Sequence, residues 1–188
     1  MEDPIGGDLL AVLREYQTTF SSKEYSAENE DVDALMAVFG ITPTLKRENR
    51  QYWGRELGKC WERLLKRLFE VSRPSDFAPP LRIGSQEPCD FLLGDTAIDT
   101  KYRIGSGDSG TLRKFTEDGL RLQERGYSPT VLILREDNLL PAINSFRKGG
   151  WSVYTGDGTF QYIQTETGFD VESWLNVVAE NASLNLSR

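Results

Sequence analysis

Apolar positions recur along this chain at two different periods, and their order outlines a fold. Over residues 47–71, Trp53, Leu57, Trp61, Leu64, Leu65 and Leu68 return at helical spacing. At about 100° per residue they share one arc with Cys60 and Phe69. Glu62 falls at the edge of that arc, beside Gly58 and Phe69, and the opposite side carries Arg55, Lys59, Arg63, Lys66 and Arg67. Residues 91–101 then switch period. Phe91-Leu92-Leu93 and Thr96-Ala97-Ile98 read as two short strands joined by a tight Gly94-Asp95 turn.

The rest of the chain extends this order. Leu81-Arg82-Ile83 reads as a short strand after the Pro-rich connection Arg73–Pro80, and Tyr102-Arg103-Ile104 as a continuation of the second hairpin strand. Gly105–Gly110 is a turn feeding a helix over 111–125, closed by Gly126. Thr130–Leu134 is a continuous apolar run expected of a fully buried strand. A helix over 139–147, a strand over 151–154 and a helix over 170–182 follow, the last with Val171, Trp174, Leu175 and Val178 inward. The four tryptophans are expected in the core. Helix, hairpin and alternating strands and helices predict an α/β domain, a mixed β-sheet with helices on both faces.

The first third is less patterned. A helix over 8–20, with Asp8 as N-cap and Leu9, Leu10, Val12, Leu13 and Tyr16 apolar, and another over 31–39 closed by Gly40, are expected around a polar Ser21–Glu30 loop. Residues 1–45 are read as a small N-terminal helical appendage and 46–188 as the core.

Composition narrows the chemistry. The 188 residues suit one domain and include no histidine. Histidine-dependent triads, cysteine–histidine pairs and His-based zinc sites are therefore excluded. Two cysteines, Cys60 and Cys89, are too few for a disulfide framework and are expected as buried free thiols. No apolar run approaches the roughly 20 residues of a membrane span. The acidic start Met1-Glu2-Asp3-Pro4 does not resemble a signal peptide, so a cytoplasmic protein is expected.

The net charge of −7 argues at first against a polyanionic partner, but the charge is unevenly placed. Residues 1–45 hold 2 basic and 9 acidic side chains, residues 46–125 hold 16 and 13, and residues 126–188 hold 4 and 7. The middle segment is the basic one.

That segment also carries the candidate chemistry. Asp90 opens the first hairpin strand. Asp99 and Lys101, two apart near the end of the second, share one face. Two carboxylates and a lysine in an apolar frame suit a hard divalent cation with an ammonium beside it. A lone Asp-x-Lys also fits strand-end acids on a solvated face. Likewise Glu62 also fits a surface acid paired with Lys59 or Lys66, with Glu56 as its rival.

Pro88-x-Asp90 followed by Asp99-Thr100-Lys101 resembles the motif of the PD-(D/E)XK nuclease superfamily, and the element order over about residues 50–165 resembles its core. Within it, the resemblance extends to type II restriction endonucleases, in particular the ApaLI/XbaI-like group. It implies Mg2+, with Mn2+ as a substitute, held by Asp90, Asp99, the Thr100 carbonyl and Glu62, with Lys101 serving the attacking water. Double-stranded DNA is the implied substrate, a homodimer the implied assembly and a DNA methyltransferase the implied genetic neighbour. Arg103, Ser106, Asp108, Ser109, Arg113 and Lys114 are the expected DNA-facing residues; the Gly105–Gly110 stretch matches no phosphate-binding glycine motif. The alternatives are a structure-specific repair nuclease or junction resolvase, and a catalytically inactive DNA-binding module on the same fold.

Overall fold

The computed structural model describes residues 4–21, 23–181 and 184. Its centre is a five-stranded mixed sheet of order β2-β3-β4-β6-β7. The strands are β2 (Phe77–Ala78), β3 (Phe91–Leu93), β4 (Thr96–Lys101), β6 (Ser128–Ile133) and β7 (Ser152–Thr155). β2, β3 and β4 run antiparallel, while β4, β6 and β7 are parallel. The hairpin forms in the expected register, Phe91 opposite Ile98 and Leu93 opposite Thr96. Gly94 takes the left-handed conformation of its turn, φ 60°.

Strand alternation sorts side chains into two cores. Phe91, Ile98, Tyr102, Leu132 and Leu134 pack against α4 (Arg50–Ser72), whose Leu57, Trp61, Leu65 and Phe69 are buried. Asn49 caps this helix by accepting from the Tyr52 N–H at 3.1 Å. Each such large apolar side chain contributes about 1.5–3 kcal/mol when fully buried. α7 (Asp157–Thr167) and α8 (Val171–Glu180) complete this layer. On the other face, Ala97, Val131 and Ile133 meet α5 (Ser109–Gln123) and α6 (Leu140–Lys148) through Leu122, Ala142 and Phe146. The α/β class and the mixed sheet flanked by helices are as expected.

Several expectations are corrected. Leu81–Ile83 is not a sheet strand; Ile83 only bridges Gln86, and β2, within the expected connection, takes the sheet edge. α7 and the short α3 (Pro43–Glu48) were not expected. Trp174 is 44% exposed rather than inward. Cys89 is buried, whereas Cys60 is only half-buried.

The N-terminal third is not a uniform appendage. α1 (Pro4–Ser21) begins before Asp8, so Asp8 lies inside the helix, and Leu10, Val12, Leu13 and Tyr16 are exposed. Residues from about 26 onward belong to the body. Leu35, Met36 and Val38 of α2 (Ala34–Val38), with Ile41, are buried in the α4-side core. β1 (Glu24–Tyr25) pairs with β5 (Ser106–Gly107).

A buried polar network fastens this segment to the sheet. Arg135 donates to Asp33 Oδ2 at 2.9 Å and to Asp137 Oδ1 at 2.8 Å. Tyr102 donates its hydroxyl to Asp33. Lys46 donates to Tyr102 at 2.6 Å and pairs with Glu28 at 2.5 Å. Burial lowers the Lys46 pKa, with Glu28 opposing that shift. Glu28 and Asp33 thus neutralise the buried cations of Lys46 and Arg135.

Candidate active site

The hairpin and the parallel strand beside it place the candidate residues. Asp99 lies in β4 opposite Val131 of β6, so it is buried between paired strands. By alternation it shares the Ala97 face with Lys101, towards α5 and α6. Lys101 Nζ meets the Asp99 carboxylate at 2.7 and 2.6 Å and the Thr100 carbonyl at 3.2 Å.

Asp90 stands at the bend where β3 begins. Its N–H donates to the Ile98 carbonyl at 2.8 Å, closing the hairpin pairing. Its Oδ2 accepts the Thr100 N–H at 2.7 Å and the Thr100 hydroxyl at 2.6 Å. The side chain thus continues the ladder where the strand has ended. Among the described residues, both of these bonds go to Oδ2 and none to Oδ1.

Asp90, Asp99 and Lys101 line one cavity of about 410 Å3 with Lys114 and Asp118 of α5 and Trp151 ahead of β7. Close packing forms its far wall: a Cβ on Gly119 would stand 2.2 Å from Trp151 Nε1. The Trp151 indole donates to the Phe115 carbonyl at 2.9 Å. Asp118 is a site residue that sequence reasoning missed. On a helix bearing Lys114, Glu117 and Arg121 it reads as one more surface charge, and the only signal was its spacing from Phe115 and Leu122.

Negative charge is in excess here. Burial pushes Asp99 up to about 6, with the Lys101 ammonium pulling it down and Asp90 adding to the rise. Burial also opposes the Lys101 charge, but Asp99, Asp90 and Glu62 outweigh it and raise the lysine's pKa. One ammonium facing several carboxylates accounts for both directions.

Glu62 is not brought into this cavity. It pairs with Lys66 at 2.6 Å and lines a larger groove of about 770 Å3 between α4 and α8. Glu56, on the same groove, pairs with Arg55 at 2.9 Å and Lys59 at 3.2 Å. The charge of Glu62 reaches Lys101, but its carboxylate is engaged elsewhere.

The expected DNA-facing residues divide. Ser106, Ser109, Arg113 and Lys114 are exposed. The Arg103 guanidinium instead binds Asp137 Oδ2 at 3.0 Å, the Ser26 carbonyl at 3.0 Å and the Ala27 carbonyl at 2.9 Å. Asp108 is the N-cap of α5, accepting from the Thr111 N–H at 2.7 Å, and that bond lowers its pKa. Arg103 and Asp108 thus both make structural contacts within the chain, and Asp108 is exposed as well.

Asp90, Asp99 and the Thr100 carbonyl are hard oxygen donors suited to Mg2+ or Mn2+. The N–H and carbonyl of Thr100 face the same side of β4, so the carbonyl opens beside Asp90. Among the described residues, no three His, Cys, Asp or Glu side chains form a ready metal cage. This donor set fits Mg2+, which binds through one or two carboxylates and keeps several waters. No family model, curated protein or solved structure matches this chain.

Proposed function

We propose that this chain is a Mg2+-dependent DNA endonuclease with a PD-(D/E)XK core, acting as a type II restriction enzyme on double-stranded DNA. The observation that carries the reading is the convergence of Asp90, Asp99 and Lys101 on one cavity at the end of β4, in a mixed sheet with helices on both faces. A homodimer would present two such sites to the two strands of a palindrome.

In this reading Asp90, Asp99 and the Thr100 carbonyl hold the cation. When bound, Mg2+ supplies Lewis acidity to the phosphate and acidifies a water. Lys101 orients that water and offsets charge developing on the phosphoryl oxygens. Water attacks phosphorus and releases a proton to solvent, one P–O ester bond breaks, and the departing alkoxide takes up a proton from solvent. Asp99 fixes the Lys101 ammonium at hydrogen-bond distance. Lys114, on the cavity rim, is placed for a phosphate contact, and Arg113 one residue away is 76% exposed at its side chain.

The test is incubation of the full chain with plasmid DNA and Mg2+, followed by sequencing of fragment ends. Discrete ends at one short motif support restriction. Cutting confined to branched DNA would replace it with junction resolution. No cutting of any DNA form, with Mg2+ or Mn2+, would refute the nuclease reading.

A further inference from the structure

α1 carries an apolar stripe that faces solvent. Val12, Leu13 and Tyr16 share one arc at about 100° per residue, and all three are exposed. Every described side chain from Leu10 to Thr18 is exposed as well. Intrinsic propensity does not hold such a helix, because Gly6, Gly7, Val12 and Thr18 are weak helix formers. Most helical stability comes instead from packing an amphipathic face.

The body offers a surface that matches this helix. The groove between α4 and α8 is lined by Leu64, Leu68 and Val171, with the exposed rings of Phe169 and Trp174 at 6.2 Å from each other. Lys59, Arg63 and Arg67 supply its cations. Its two acids are already paired, Glu56 with Arg55 and Lys59, and Glu62 with Lys66. α4 as a whole carries six cations and three acids, whereas the first 21 residues of the chain carry four acids and one arginine. An acidic helix with an apolar stripe thus complements a basic, apolar groove in both charge and polarity.

The groove within reach of α1 is not its own. Two residues separate the end of α1 from β1, which is paired with β5. A Cβ on Gly107 of β5 would meet Leu112 at 3.0 Å and Leu139 at 3.6 Å, both part of the core under α5 and α6. α4 and α8 cover the opposite face of the sheet. α1 therefore leaves the body on the side away from its own groove, on a leash of about 10 Å at full extension.

We propose that α1 of one copy docks its apolar stripe in the α4–α8 groove of a second copy, and that the exchange is reciprocal, closing a two-fold dimer. The interface does not depend on the chemistry of Asp99 and Lys101, and it gives the homodimer of the nuclease reading a contact surface. The aromatic pair Phe169 and Trp174 anchors the stripe, and the cations of α4 select an acidic helix.

The test is sedimentation equilibrium of the full chain, with alkylation of Cys60 as a second reading. Cys60 lines the groove, and Cys89 is buried. The wild type should sediment at twice its 21.3 kDa mass. Leu13→Lys adds a charge of the groove's own sign, and Trp174→Ala removes an anchor. Each should raise the dimer dissociation constant by roughly 30-fold or more, as loss of an interface anchor does. Both side chains are exposed in the single chain. Arg63→Glu, a second groove variant, should act in the same direction. Cys60 should react more slowly in the wild type than in Leu13→Lys. A monomeric wild type would overturn the inference: protected Cys60 would then place α1 in its own groove, and reactive Cys60 would leave the groove to another occupant. A dimer that withstands Leu13→Lys or both groove variants, or whose Cys60 reacts equally in wild type and Leu13→Lys, uses another surface and overturns it too. Growth beyond a dimer would overturn the reciprocal exchange. Plasmid cleavage is read separately: such a dimer that cuts no DNA upholds the interface and refutes the nuclease, and a monomer that cuts DNA does the reverse.

Discussion

Asp90 is held by Thr100, not by Asp99: its Oδ2 accepts both the Thr100 N–H at 2.7 Å and the Thr100 hydroxyl at 2.6 Å. A side chain thereby replaces the backbone partner that β3 no longer offers. The motif's middle residue thus has a defined task in this chain. Thr100→Val keeps the shape and removes one of the two donors. It should cost about 1.5–3 kcal/mol in denaturant unfolding, the range for a hydrogen bond to a charged group. Cleavage should fall less than in Asp90→Asn. A Thr100→Val protein of unchanged stability would mean that the hydroxyl contact contributes nothing.

Asp99 gives the cation-free protein a pH dependence of definite sign. Its carboxyl titrates at about 6 in the folded chain, because burial outweighs the pull of Lys101. An unfolded aspartate titrates near 3.9. Between those values the folded state holds a proton that the unfolded state has released. The contribution is therefore fully present below about pH 4 and is lost as pH rises through about 6, on the order of 2–3 kcal/mol. Unfolding in EDTA at about pH 4.5 and 7 should show this loss in the wild type and not in Asp99→Asn. Parallel pH profiles for the two proteins would contradict it.

Arg103 and Arg135 should affect stability before they affect DNA recognition. Arg135→Met leaves Asp33 and Asp137 without their shared cation and should cost about 3–5 kcal/mol. Arg103→Ala should also destabilise, while leaving the ratio of cognate to random DNA affinity unchanged. Selective loss of cognate binding in Arg103→Ala would mean that the arginine leaves Asp137 when DNA arrives.

What the sequence made legible was local. The hairpin could be read because Gly94-Asp95 requires a turn between short apolar runs. α4 could be read because its apolar stripe spans several turns, and β6 because a continuous apolar run needs cover on both faces. The missed features depend on distant partners. α7 contains Gly158, Thr159 and Thr165, which are weak helix formers; the fold holds it through Thr159, which donates to the Ile133 carbonyl at 2.8 Å, and through buried Ile163. β2 has two residues and no periodicity to detect. The roles of Arg103, Asp33 and Arg135 follow from contacts between residues 34 to 102 positions apart, and the buried state of Asp118 follows from the close approach at Gly119. Among the candidate site residues, the strand-borne Asp99 and Lys101 were placed by alternation, and Asp90 by the hairpin that returns the chain beside them. Glu62 was not, because helical phase alone does not show which groove a border residue enters.

In the proposed reading, the Asp99–Lys101 pair performs cation-dependent phosphodiester hydrolysis. The most direct measurement is single-turnover cleavage of plasmid DNA by wild type, Asp99→Asn and Lys101→Ala, each with Mg2+ and with EDTA. Mg2+-dependent cleavage is expected for the wild type. Each variant should lose at least about 10²-fold, the scale of losing a transition-state contact. Cleavage by Lys101→Ala at the wild-type rate, or by the wild type in EDTA, would contradict the account.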